Sequence, residues 1–334
     1  MLAGRLHITQ RRFALETVPV PQPGPGQVRI KVAAAGVCLS DVHLVDGTLT
    51  PLYLDGDVVT LGHEVAGTID ALGADVEGWQ PGQRVLLQAG EEDRRGTVYT
   101  RGVDYDGGWA EYALATAHTL VAIPDELPFE QACIIPDAVS TPWAAVTATA
   151  QTRPGEAVGV WGVGGLGAHA VQLLRLVGAA PIVAVDPLPA ARERALAFGA
   201  DAAVDPADPD FRDVLGTLTG GRGLDVAFDF AGVPAVREQA LKVLSRRGRL
   251  VLAGIANQPV TIGSDSRFTY LQQSVHGHYG SEPEHVEQLV ALARQRRLDL
   301  AASISDVVGL SEAARAVERL ATKQDSPIRL ILRP

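Results

Sequence analysis

The 334-residue chain carries 29 Lys and Arg against 39 Asp and Glu, a formal net charge of −10, and is 46% hydrophobic and 20% charged. That balance argues against a nucleic-acid partner, which needs a basic face, and no long apolar run or basic leader points to a membrane span or a secreted protein. The length exceeds one ordinary core, so two domains are expected, in a cytoplasmic protein whose two cysteines, Cys38 and Cys133, are reduced.

In chain order, "VPVPQPGPGQ" is too rich in proline and glycine for regular structure, and the β-branched, alternating "QVRIKVAAAGV" after it reads as a strand. Turn signals recur at "VDGT", "LDGD" and "QPGQR", the texture of a small β-rich domain. Within it, "GVCLSDVH" groups Cys38 with Ser40, Asp41 and His43, and "LGHEVAG" supplies His63 and Glu64. A cysteine and a histidine 25 residues apart (63 − 38) are not by themselves a zinc motif. A buried thiol and a hydrogen-bonded core imidazole are the commoner account of such a pair.

From about residue 139 the pattern changes. "EAVGVWG", "PIVAVD", "LDVAFDFAG" and "RLVLAGI" are apolar runs separated by helical stretches such as "GAHAVQLLRLVGA" and "ARERALAFGA". Apolar strands alternating with helices predict an α/β domain with a parallel sheet covered on both faces. An amphipathic helix, "SEAARAVERLAT", and a last strand, "PIRLILRP", close the chain.

"VGVWGVGGLGAHAVQLL" holds Gly162, Gly164 and Gly167 in G-x-G-x-x-G spacing after a strand and before a helix, with Gly165 and Leu166 inside the loop. Such a loop turns tightly, lets a pyrophosphate approach the backbone and aims a helix N-terminus at it. Asp186 ends "PIVAVD" 19 residues after Gly167 (186 − 167), where a carboxylate accepts from ribose hydroxyls and repels a 2′-phosphate. NAD is therefore expected rather than NADP. Arg192 approaches the same ribose or lies on a solvated helix face.

From "VPVPQPGPGQVRIKVAAAGVCLSDVH" through "GHEVAGTIDALGADVEGWQPGQRV", "GGWAEY" and the glycine loop to "PIRLIL", the chain resembles the medium-chain, zinc-dependent alcohol dehydrogenase family nearly end to end. The resemblance implies a GroES-like β-rich catalytic domain over 1–138, a Rossmann doubly wound NAD-binding domain over 139–276, and a return to the catalytic domain over 277–334. It implies one catalytic zinc held by Cys38, His63 and Asp137, the last from "IPD" where many relatives have cysteine. Cys133 is the rival third ligand. Three protein ligands plus an open position suit a catalytic zinc.

By the same resemblance Glu64 sits behind the metal and Asp41 orients His63 or holds its loop. Ser40, a ribose hydroxyl and His43 form a proton route. Thr141, Ala253 and Ile255 lie near the nicotinamide, and Arg329 reaches the pyrophosphate. Leu39 stands where relatives have a basic residue. "LLQAGEEDRRGTVYTRGVDYDGGWAEY" lacks the cysteines of a structural zinc and is expected to be a polar loop. Leu49, Trp109, Trp143 and Ile255 line a substrate pocket or belong simply to the core.

The implied activity is hydride transfer between a small or medium alcohol, or the corresponding ketone, and NAD, in a homodimer or homotetramer. A polyol or sugar dehydrogenase is the nearest alternative. A zinc-free quinone or enoyl reductase and a non-catalytic protein of the same fold are more distant ones.

Overall fold

The structure is a computed structural model that describes residues 1–256 and 258–334. Its contacts divide the chain into two units, Met1–Ser140 with Glu282–Pro334, and Thr141–Ser281. The expected joins are 138/139 and 276/277, and the contact boundaries lie at 140/141 and 281/282. Among the described residues no helix is long and apolar enough to cross a membrane.

The first unit is β-rich. The strand Gln27–Val37 buries Val28, Ile30 and Val32 and turns Lys31 outward, as its alternating sequence requires. It pairs antiparallel with Val65–Leu72, Tyr112–Thr116 and the chain's last strand, Arg329–Arg333. Leu330 pairs with Val37. That register brings Arg329 to the end of the strand where Cys38 begins the helix Leu39–Asp46.

Val28, Ile30, Val65, Ile69, Val85, Leu87, Leu330 and Leu332 share one core, each contributing on the order of 1.5–3 kcal/mol by its burial. Trp109 belongs to that core. It is fully buried, donates through Nε1 to Gly36 O at 3.0 Å, and meets Phe13 edge-on. Of its two expected places, pocket or core, Trp109 takes the core. Gly62 has a φ of 96°, and a Cβ there would lie 2.2 Å from Trp109 Cδ1. The turn that delivers His63 and Glu64 therefore needs glycine.

The stretch expected to be a polar loop is instead partly ordered as a hairpin, Gly90–Glu92 with Val98–Thr100. Arg101 at its base is fully buried, donating to Gln88 O at 3.3 Å and Leu114 O at 2.7 Å, with its guanidinium 5.2 Å from the Tyr105 ring centroid. Charge-rich composition reads as solvated, and only tertiary contacts reveal an arginine used as a core donor.

The second unit holds six parallel strands: β1 (Val158–Trp161), β2 (Ile182–Val185), β3 (Ala202–Val204), β4 (Leu224–Asp229), β5 (Leu244–Leu252) and β6 (Ser274–Gly277). Their order is β3-β2-β1-β4-β5-β6, the doubly wound arrangement whose direction reverses between β1 and β4. The helices used below are α1 (Gly167–Val177), α2 (Pro189–Ala197) and α4 (Pro234–Val243), with α3 (Phe211–Leu218) between the last two. Ala168, Ala170, Val171 and Leu174 form the buried face of α1. β1 and β2 are buried throughout, which is why they read as continuous apolar runs.

Candidate metal centre and dinucleotide loop

Four side chains of the first unit converge. One ligand atom from each of Cys38, His63, Glu64 and Asp137 lies within 4.8 Å of the other three. Cys38 precedes the helix Leu39–Asp46, and its backbone N–H donates to Asp41 Oδ2 at 2.8 Å. Asp41 is fully buried and turns Oδ1 toward His63 Nδ1, 3.8 Å away, so one carboxylate serves both the cysteine backbone and the histidine ring. Asp137 comes from a wide π-type turn, Ile135–Val139, a local distortion frequent at functional sites.

Asp137 Oδ2 stands 3.3 Å from Cys38 Sγ and 3.3 Å from His63 Nε2. Tetrahedral zinc with ordinary bond lengths separates sulfur from oxygen by about 3.5 Å and nitrogen from oxygen by about 3.3 Å. Both separations from Asp137 thus match those around one ion, and soft sulfur, imidazole and carboxylate are all donors zinc accepts. Cys133 is buried elsewhere, with its thiol toward Glu130 O at 3.4 Å, and is not among the converging groups.

Charge explains the rest of the cluster. Burial alone would strip the proton from His63, but Asp41, Asp137 and Cys38 outweigh it and raise the His63 pKa well above its usual value. Burial also resists ionisation of Asp137, yet hydrogen bonding and charge from His63 and Arg329 hold it below the usual carboxylate range. Glu64 is pushed up to about 8 by burial, against the pull of Arg329. Its Oε1 accepts from Ala138 N at 3.1 Å and pairs with Arg329 Nη2 at 2.9 Å, while its buried Oε2 has no hydrogen-bond partner.

The expectation that Arg329 reaches a pyrophosphate is corrected here. It is 2% exposed, and Nη2 is engaged by Glu64 and, at 3.5 Å, Asp137. The final strand's pairing with Gln27–Val37 carries it into the cluster, a placement invisible to local sequence.

Ser40 Oγ lies 3.4 Å from His63 Nε2, beside the donor atoms. His43, three residues on in the same helix, is half-buried. Leu39 between them and Cys38 is 44% exposed.

In the second unit, Gly162 has a φ of 84°, and a Cβ there would come within 2.8 Å of Ala231 N. At Gly164 a Cβ would meet nothing within 4 Å. The loop thus has open space where a pyrophosphate needs backbone access, and α1 begins at Gly167. Val163 N donates to Asp186 Oδ2 at 2.8 Å, and Leu188 N to Oδ1 at 2.9 Å. The acid at the end of β2 therefore braces the glycine loop, with acceptor capacity left on both oxygens.

Gly165 O is 2.6 Å from Nδ1 of the fully buried His169, so that nitrogen carries the proton. Arg192 Nη1 is tied to Asp186 O, Pro187 O and Asp205 Oδ2 at 2.7, 2.9 and 3.0 Å, beside the strand-end acid. Leu166 and Gly165 are half-buried. Thr141 is buried, and its carbonyl is 2.9 Å from His278 Nε2, while Thr149 Oγ1 is 2.9 Å from His278 Nδ1. Nε2 must donate to the carbonyl, so Nδ1 accepts from Thr149. Neither His169 nor His278 was singled out from sequence, because a lone histidine carries no motif. Ala253 N donates to Asp229 O at 3.0 Å, and Ile255 is 55% exposed. Leu49 and Trp143 are half-buried.

A β-rich unit with a soft-hard donor cluster and a doubly wound unit with a glycine loop and a strand-end acid define a metal-using, dinucleotide-linked dehydrogenase. Residues 24–125 match the family described as "Alcohol dehydrogenase GroES-like domain", and residues 165–295 match "Zinc-binding dehydrogenase". The chain is 32% identical over 289 residues to an NDMA-dependent alcohol dehydrogenase of Amycolatopsis methanolica, covering 76% of each. It is 32% identical over 272 residues to a sorbitol dehydrogenase of Bacillus subtilis, covering 77% of this chain and 76% of the relative. A crystal structure of the alcohol dehydrogenase from Aeropyrum pernix superposes with a TM-score of 0.89 at 30% identity, covering both chains completely. The chain belongs to the medium-chain, zinc-dependent alcohol dehydrogenase family, an oxidoreductase with zinc and NAD as its cofactors.

Proposed function

We propose that the chain transfers hydride between NAD and a small or medium, largely apolar alcohol or its ketone, with Cys38, His63 and Asp137 as the zinc ligands. The observation that carries this reading is the 3.3 Å spacing of Asp137 Oδ2 from both Cys38 Sγ and His63 Nε2. Zinc bound there supplies a Lewis acid toward the substrate oxygen, and NAD supplies the hydride acceptor. Asp41 holds the His63 ring and the start of the cysteine helix, keeping two donors in register. Arg329 keeps Glu64 paired behind the cluster. Ser40 Oγ, beside the donor atoms, can accept a proton and donate one, and the His43 imidazole passes it toward solvent.

Gly162, Gly164, Gly165, Leu166 and Gly167 receive the pyrophosphate, and Asp186 the ribose. Thr141, Ala253 and Ile255 face the nicotinamide. A polyol dehydrogenase is the second reading, favoured by the similarity to a sorbitol dehydrogenase. The protein works in the cytoplasm as a homodimer or homotetramer, in which Tyr270 and Tyr279, 83% and 75% exposed and flanking the edge strand β6, become covered. The deciding experiment measures zinc content alongside NAD-linked turnover on primary, secondary, aromatic and polyol substrates. Turnover of polyols alone would overturn the apolar assignment, and full turnover without zinc would overturn the metal assignment.

Two expected outcomes follow. Asp186→Asn removes the charge but retains an acceptor, so NAD weakens by about tenfold and the rejection of NADP relaxes by a similar factor; an unchanged ratio of the two cofactors in kcat/KM would refute the role. For zinc loading, the proton on His63 is the competitor. Asp41 is the main charge raising the His63 pKa, so zinc affinity falls as pH drops through that raised value, and Asp41→Asn moves the inflection to lower pH. Competition titrations with a chelator across pH 5 to 9 (roughly the range where histidine responds) read the shift directly.

A further inference from the structure

Two arginines outside the metal cluster brace strand-end loops of the Rossmann unit, one in each half. Asp186 follows the end of β2, and Arg194 stands eight residues on (194 − 186) in α2. Arg194 Nη2 donates to Val163 O at 2.5 Å, while Val163 N donates to Asp186 Oδ2 at 2.8 Å. Val163 of the glycine loop is thus gripped through both its N–H and its carbonyl. Asp229 ends β4, and Arg237 stands eight residues on (237 − 229) in α4. Asp229 Oδ1 accepts from Ala231 N and Gly232 N at 2.9 and 2.8 Å, and Oδ2 from Arg237 Nε at 2.8 Å. Arg237 Nη2 continues to Gly254 O at 2.8 Å, and Asp229 O accepts from Gly254 N at 2.7 Å.

Asp229 and Arg237 are both buried. Stability alone does not call for such a pair, since apolar residues of similar volume often serve as well. What an arginine adds is a rigid fork that joins a carboxylate to a carbonyl and so fixes the loop carrying that carbonyl. A doubly wound sheet binds a dinucleotide outside the carboxyl ends of its strands, one mononucleotide to each half. The loop after β1 lies with the Asp186 half, which takes adenosine. The loop after β5 lies in the other half, which takes nicotinamide.

We propose that Arg194 and Arg237 are positioning residues that set the affinity of the two halves of the cofactor separately: Arg194 the AMP half, Arg237 the nicotinamide half. The proposal rests on the NAD reading above. It is tested on the zinc-loaded protein by measuring Kd for AMP, ADP-ribose and NADH, with NADPH as a control ligand. Arg194→Met weakens all three alike, by about tenfold, the scale of one charge-assisted hydrogen bond. Arg237→Lys keeps a cation beside Asp229 but cannot also span to Gly254 O, so NADH weakens by about tenfold while AMP and ADP-ribose stay within roughly twofold. Asp229→Asn, which retains its Oδ1 acceptor, is a second variant expected to follow the Arg237→Lys pattern.

Equal losses for all three ligands in both second-half variants, or no change in any variant, overturn the proposal. So does a greater loss for NADPH than for NADH in Arg194→Met, which would make Arg194 a direct phosphate contact. If the unmodified protein binds neither AMP nor NADH, the dinucleotide reading itself fails and takes the proposal with it.

Discussion

Asp137→Ala is expected to lose zinc and turnover together while the second unit still binds NADH. Removing this carboxylate takes away the atom that stands 3.3 Å from both other donors, leaving beside Cys38 and His63 only Glu64, which Arg329 and Ala138 N hold through Oε1. It also removes one of the acids that hold His63 protonated and one of the carboxylates facing Arg329. Turnover should fall on the order of a thousandfold or more, the scale of losing the main electrostatic stabiliser of developing charge. Zinc per chain, measured by elemental analysis, should fall in parallel. Because Asp137 belongs to the first unit and the glycine loop to the second, NADH affinity should be unchanged. A variant with full zinc and full turnover would reject Asp137 as a ligand.

Arg329→Met should destabilise the first unit by about 3–5 kcal/mol, lowering its Tm by roughly 6–20 °C, because it removes the cation from a buried ion pair and leaves its partners behind. The pH dependence gives this prediction its sign. In the zinc-free protein Glu64 has its pKa raised from 4.5 to about 8, so its contribution is fully present below pH 4.5 and is lost as pH rises through about 8. Arg329 is the largest influence opposing that rise. Without it the Glu64 pKa goes higher still, and the deficit of the variant relative to the unmodified protein must widen between pH 6 and pH 9, a window spanning roughly the raised value. Thermal melts of the zinc-free proteins at several pH values test this; a deficit that stays constant or narrows would separate Arg329 from Glu64.

Much of the second unit is legible in the sequence because its signals are local. Strand, glycine loop, helix and acid lie within 29 consecutive positions from Val158 to Asp186 (186 − 158 + 1), and hydrogen-bonding rules for phosphate and ribose act on that same stretch. The donors of the metal cluster are spread from Cys38 to Asp137, and spacing alone leaves them open to a structural reading. They became candidates through resemblance, with Cys133 as a rival. In the fold Asp137 faces His63, and Cys133 turns toward Glu130.

By itself, the sequence determined the alternation of apolar strands and helices, the glycine loop with its strand-end acid, and the grouping of polar residues around Cys38. Those features depend on neighbours in the chain and on periodicity. Only the tertiary structure decided that Arg329 serves the metal cluster, that Trp109 and Arg101 lie in the core, and that Arg194 and Arg237 brace the loops. Each of these side chains takes its role from a partner distant in sequence or from burial, and a charged or aromatic residue looks the same in the sequence whether solvent or a buried carbonyl receives it.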